Sequence, residues 1–280
     1  MRVKSWLIVI ATLALANCSA INIVYNNASS FIAAEIDDAF DLNDTQEEQV
    51  DAALQRFFEW HRQRELPRYR EMLDDAALAI ADGISAQEYL VIYDAVRDAF
   101  QRSLLRLIDE LHGLAATLTP AQIDHYDQYF RERSEKHRDY LEMSAQQREI
   151  YNEEWVIDKM EDWFGNFDEL QRERIATRLH QLPEVRLAWL KVREARHQAF
   201  LAALRKAVDS GLPRQQLQHI LLDPGSEYAR VYEPQRIAYR QAFAEMIEEV
   251  SDWLSKAQIR HAVERLHEYE EVVIELQLND

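Results

Sequence analysis

The chain has 280 residues, of which 48% are hydrophobic, and its 50 acidic against 32 basic side chains give a formal charge of −18. That apolar content supports a substantial core, while so acidic a body is repelled by nucleic acid and by anionic lipid surfaces, which excludes both as partners for the molecule as a whole. Five glycines, six prolines and one cysteine leave few turns and no disulfide, so long regular elements must carry the fold.

Arg2 and Lys4 open the chain, an uncharged aliphatic run follows from Trp6 to Ala16, and small residues come next. This is the layout of a secretory signal, expected over 1–17. As a helix the run would rise only about 16 Å, roughly half of the ~30 Å hydrocarbon core, too short for a permanent span. Leu15-Ala16-Asn17-Cys18 resembles the bacterial lipobox, in which the cysteine thiol is diacylated and becomes the new N-terminus. Asn17 departs from the Gly, Ala or Ser that usually precedes the cysteine. A lone thiol is a liability in an oxidising compartment, and this one stands where lipidation needs it. The resemblance implies a lipoprotein with covalent lipid (palmitate or similar chains) on Cys18 and no other cofactor. Ser19 replaces the Asp of an inner-membrane retention signal, which points to the periplasmic face of the outer membrane of a Gram-negative bacterium. Loss of the signal removes Arg2 and Lys4 and no acid, taking the charge from −18 to −20. Residues 18–28 are expected as a lipid-anchored tether reaching at most ~35 Å when extended.

The body, 29–280, reads as all-α: a bundle of long antiparallel helices with no sheet, since no segment sustains period-two alternation. One pattern recurs at the helix starts, in Leu42-Asn43 with Gln46, Ile84-Ser85 with Glu88, Leu118-Thr119 with Gln122, Met143-Ser144 with Gln147, and Leu254-Ser255 with Gln258. It is the capping box, in which the first polar side chain accepts from first-turn N–H groups and the Gln or Glu reaches back. These signals predict helices over 29–41, 44–64, 67–82, 85–115, 119–142, 144–164, 167–181, 183–209, 213–222, 227–253 and 255–277. Gly83, Gly165 and Gly211 fall at ends and Pro67, Pro183 and Pro213 near starts, while Pro234 either begins a helix or kinks one. Two sub-bundles are expected to meet near 142–144.

Trp60, His61, Arg62, Arg64, Arg68, Tyr69 and Arg70 form the densest mixture of aromatic and basic residues. Such a patch could hold the phosphate or carboxylate groups of an envelope glycan. It could equally be a corner between helices, with Trp60, Leu66 and Tyr69 packing, Pro67 opening the next helix and the arginines meeting the chain's own carboxylates. The corner is the expectation, because surface charge clusters are usually paired or solvated. Arg131, Arg133, Lys136, His137 and Arg138 read as a solvated helix face. Two Glu-x-x-His pairs occur, Glu194/His197 and Glu264/His267, a spacing that serves di-metal carboxylate bundles. Only Glu194 and His197 fall on an apolar stripe, and the motif needs four convergent helices, so no metal site is assigned. There is no Gly-rich phosphate loop and no nucleophile elbow.

Cys18-Ser19 with Tyr25-Asn26-Asn27, the Asp41-Leu42 and Gln46 region, Trp60-His61-Arg62, Glu65-Leu66-Pro67 with Tyr69, and Leu118-Thr119-Pro120-Ala121-Gln122 together resemble a proteobacterial lipoprotein family defined only as a domain of unknown function. The resemblance implies location and helical architecture and transfers no catalytic residue. The expectation is a lipid-anchored envelope protein that acts by binding or as a structural module, with an envelope protein or cell-wall glycan as partner. The alternatives are a di-metal enzyme using Glu194 and His197, and a helical periplasmic chaperone.

Overall fold

A computed structural model describes residues 18–222 and 227–278, and the signal-like segment 1–17 lies outside them. Among the described residues there are thirteen α-helices, one 3-10 turn and no strand. In chain order they are α1 (Cys18–Asn26), α2 (Ala28–Phe40), α3 (Asp44–Arg64), α4 (Leu66–Asp82), α5 (Ala86–Leu111), the 3-10 turn (His112–Ala116), α6 (Pro120–Arg133), α7 (Glu135–Glu142), α8 (Ala145–Phe164), α9 (Glu169–Leu179), α10 (Arg186–Ser210), α11 (Arg214–Leu222), α12 (Glu227–Ser251) and α13 (Lys256–Leu278). No helix among them is long and apolar enough to cross a membrane.

All five expected capping boxes form with both reciprocal hydrogen bonds. A sixth, Asp168 with Gln171, opens α9. Four of the boxes are joined in pairs by their glutamines. Gln46 donates its amide to the Thr117 carbonyl at 2.9 Å, and Gln122 donates to the Asp41 carbonyl at 2.9 Å and to Gln46 Oε1 at 2.7 Å. The second pair repeats the plan: Gln171 donates to the Trp253 carbonyl at 2.9 Å, Gln258 to the Asn166 carbonyl at 3.0 Å, and the two amides meet at 3.1 Å. In every case the accepting carbonyl lies two residues before the other helix's cap, so each lock satisfies a turn backbone that would otherwise be stranded.

Three expected elements differ. The helix predicted over 85–115 tightens into the 3-10 turn after Leu111. The one predicted over 119–142 breaks at Ser134, whose hydroxyl donates back to the Phe130 carbonyl at 2.6 Å, a local bond that competes with the ladder. Residues 18–26, expected as part of a tether, are helical. Pro234 lies inside α12 rather than at a start.

Two principal cores form, and each draws on both sides of 142–144. One joins α3, α6, α10 and α11 through Leu54, Ile123, Leu204 and Ile220; the other joins α8, α9 and α12 through Ile157, Met160, Ile175 and Met246. α5 runs through both, with Ile92 against the second and Ile108 in the first. A third cluster ties α1, α4 and α13 together: Leu66, Val272, Val273 and Leu276 bury against Ile21, Tyr25 and Tyr69.

Candidate functional site

The cluster at 60–70 is a corner between α3 and α4. Pro67 has no N–H to continue the ladder of α3 and its ring would crowd the carbonyl four residues back, so the chain turns at Glu65, the single residue between the helices. Glu65 is fully buried. Its carboxylate accepts from Arg102 Nε and Nη2 at 2.9–3.1 Å and from Arg68 Nη1 at 2.7 Å. A buried carboxylate is tolerable only when charge and hydrogen bonds both answer it, and Arg102 on α5 supplies a two-pronged match. The Glu65 bonds in turn raise Arg102 above the usual guanidinium value.

One turn earlier, His61 is 9% exposed and sits between two phenols: Tyr25 Oη is 2.8 Å from Nδ1 and Tyr69 Oη 3.2 Å from Nε2. Burial pushes the imidazole down to about 4, against the pull of Glu65, so the ring is neutral at pH 7. Burial likewise pushes the Tyr25 and Tyr69 hydroxyls above their ordinary value. Phe57 and Phe58 pack around the same ring. Neutral, doubly bonded and enclosed, His61 joins α1 to the α3–α4 corner.

The arginines of the cluster are mostly bound within the chain. Arg62 donates to Asn26 Oδ1 at 3.0 Å and lies 5.6 Å over the Tyr25 ring; Arg70 pairs with Glu270 at 2.9 Å. Arg106 covers Trp60 at 5.9 Å. Of Arg62, Arg64, Arg68 and Arg70, Arg64 is exposed and has no bonded partner among the described residues. Sequence reading did not single out Glu65 or Arg102 as a site, and for Arg102 it had no signal, since the pair is 37 residues apart.

Glu194 and His197 do not converge. His197 is buried, bonded to Asp127 at 2.9 Å and stacked on Phe130 at 3.6 Å, while Glu194 is exposed and accepts from Gln198. The expectation that both point inward fails because the three-residue step turns Glu194 some 60° out of the stripe. Arg131 and then His197 hold the Asp127 carboxyl below its ordinary value. Glu264 and His267 are both exposed on α13. Among the described residues no group of three or more His, Cys, Asp and Glu is disposed to hold a metal ion. Of the second basic run, Arg131, Arg133 and Arg138 pair with Asp127, Glu35 and Glu135, but His137 is half-buried against Trp189 of α10 rather than solvated.

A cleft of about 490 Å³ opens beside the second glutamine lock, lined by Phe164, Trp253, Gln258 and His261. Asp168, Gln171, Ser255 and Gln258 in its lining are spent on closing the caps, while His261 beside them is not part of the lock.

Compared with known proteins, the chain belongs to the family of unknown function DUF6279, whose model matches residues 38–233. The match takes in the whole 60–70 corner and Arg102, and leaves α1 and α13 outside it. No curated protein and no solved structure matches.

Proposed function

We propose that this member of the DUF6279 family acts without catalysis, as a binding or structural module held to a cell-envelope membrane by lipid on Cys18. The observation that carries the reading is the fastening of α1. That helix begins at Cys18 and is bonded to the body at successive turns: Asn22 Nδ2 to Glu275 at 3.0 Å, Tyr25 to His61 at 2.8 Å, and Asn26 Oδ1 from Arg62 at 3.0 Å. Ile21 adds an apolar contact with the third core cluster. A helix of nine residues rises only about 13 Å, so acyl chains on its first residue hold the body close to the membrane and in one attitude. The corner at 60–70 serves as the mount in this reading, and its cations serve the fold rather than a ligand. The periplasmic face of the outer membrane is the location proposed, from Ser19.

The test is the intact mass of the full chain purified from a Gram-negative host, beside Cys18→Ala. Mass beginning at Cys18 with two or three acyl chains, absent in the variant, is the expected result; an unmodified chain sinks the anchor. Metal analysis of the same preparation tests the other half, since about two iron or manganese ions per chain would end the non-catalytic reading.

A further inference from the structure

Where α7, α8 and α10 meet, arginines gather among aromatic rings and, among the described residues, no carboxylate lies in ion-pair contact with their guanidinium groups. The Arg186 guanidinium lies 4.2 Å over the Tyr140 ring and 5.0 Å over Tyr151, and donates to Asn152 Oδ1 at 3.3 Å. Arg193 lies 4.1 Å over Phe130 and donates to Ser134 Oγ at 2.7 Å. Arg148 donates to the Met143 carbonyl at 2.6 Å, and the charges of Glu184, Arg186 and Arg148, in that order, reach Tyr140. Burial and then the charges of Arg193 and Arg186 hold His137 below its ordinary value.

None of these three arginines has a carboxylate within ion-pair distance among the described residues, in a chain of net charge −18. The charges of Glu184 and Glu194 reach Tyr140 and Arg193, but the bonds of the nearby acids go to groups other than the three guanidinium edges. Glu149 and Glu153 face His180 at 3.6 and 2.8 Å, Glu184 accepts from the backbone N–H of Arg186 at 2.8 Å, and Glu194 accepts from Gln198 at 2.9 Å. A guanidinium stacked on a ring uses its face and leaves N–H groups along its edge, the fork that matches an oxyanion. Tyr151, under Arg186, and Trp189, against His137, are 40% and 36% exposed, and Trp155, 54% exposed, lies one turn from Tyr151 on the same side of α8. Exposed rings of this kind offer flat apolar faces for the C–H face of a sugar.

We infer that this surface binds an acidic saccharide, with Arg148, Arg186 and Arg193 holding its anionic groups and Tyr151, Trp155 and Trp189 taking its ring faces. The inference goes beyond the anchored-module reading and needs no lipid on Cys18, so failure of the anchor and failure of this surface are separate results.

The experiment is calorimetric titration of the purified full chain with hexagalacturonate, with neutral chitohexaose and with phosphatidylglycerol vesicles. Hexagalacturonate is expected to bind, more weakly as salt rises. The double variant Arg186→Gln/Arg193→Gln is expected to weaken it at least tenfold and Trp189→Ala several-fold, while Arg205→Gln, an exposed arginine paired with Asp124, leaves it unchanged. Should the double variant fail to melt cooperatively, Trp189→Ala and the salt series decide. No heat with hexagalacturonate, equal affinity for chitohexaose, unaltered affinity in the variants, or binding to the vesicles alone would each overturn the proposal.

Discussion

The chain carries two concentrations of arginine among aromatic rings, and they are built to different ends. At the α3–α4 corner Arg68 and Arg102 converge on one buried carboxylate, Arg70 meets Glu270 and Arg62 meets Asn26. Between α7, α8 and α10, the side chains of Arg148, Arg186 and Arg193 bond, among the described residues, to carbonyl, amide and hydroxyl oxygens and lie over ring faces. The corner is the denser cluster in sequence and the less available in space. What separates a structural from a recognition arginine is therefore the partner of its N–H edge, which sequence density does not reveal.

Mutations can break or sharpen that contrast. The largest effect is expected for Arg102→Ala, which leaves Glu65 buried with Arg68 alone and costs about 4 kcal/mol in urea unfolding. Converting both partners to Met is expected to recover most of that loss, since the stranded charge goes with them. If Arg102→Ala is instead harmless, the corner is not held by its ion pair.

His61 gives the next largest. Its folded value of about 4 lies below the ordinary value near 6.5. The unfolded chain therefore takes up its proton first as pH falls. The contribution is complete above pH 6.5 and drains away as pH falls toward 4, about 3 kcal/mol in all. Unfolding midpoints of wild type and His61→Gln measured across that window should converge as the pH drops; parallel curves would refute the neutral, buried ring.

Arg186→Gln should cost only about 1 kcal/mol, the worth of its ring contacts. A loss as large as that of Arg102→Ala would make Arg186 structural and erase the contrast. Arg64→Gln, exposed at the end of α3, is expected to change stability by less than about 0.5 kcal/mol.

Much of the secondary structure is legible in the sequence because its signals are local. Leu118-Thr119-Pro120-Ala121-Gln122 contains its cap, its proline and its reciprocal glutamine within five residues, and α6 starts where they say. Asp168 with Gln171 carries the same information and escapes a search restricted to Ser, Thr and Asn. Ser134 reads as an ordinary helix residue, and the bonds that accompany the split of α6 from α7, its own to Phe130 and those from Arg138 and Arg193, leave no local trace in the sequence. The cores are less legible, since α5 contributes Ile92 to one and Ile108 to the other, and no helical period records which neighbour a stripe will meet. For the sites the sequence names the corner residues but neither the Arg102 partner nor the surface at Arg186 and Arg193, whose side chains form no ion pair among the described residues.

The paired glutamines have a consequence for the order in which the chain can assemble. One lock joins residues 76 apart and the other residues 87 apart, and the two spans follow one another without overlapping. Topologically the chain is two closed rings in series, 46–122 and 171–258, linked by the stretch that carries α7 and α8. Each pair of amides can meet only once the chain between them has folded back, a closure whose entropic cost grows slowly with loop length. The rings are nonetheless packed into one another: α10 and α11 lie inside the second ring and build the first core with α3, so a cut there reaches beyond its own lock.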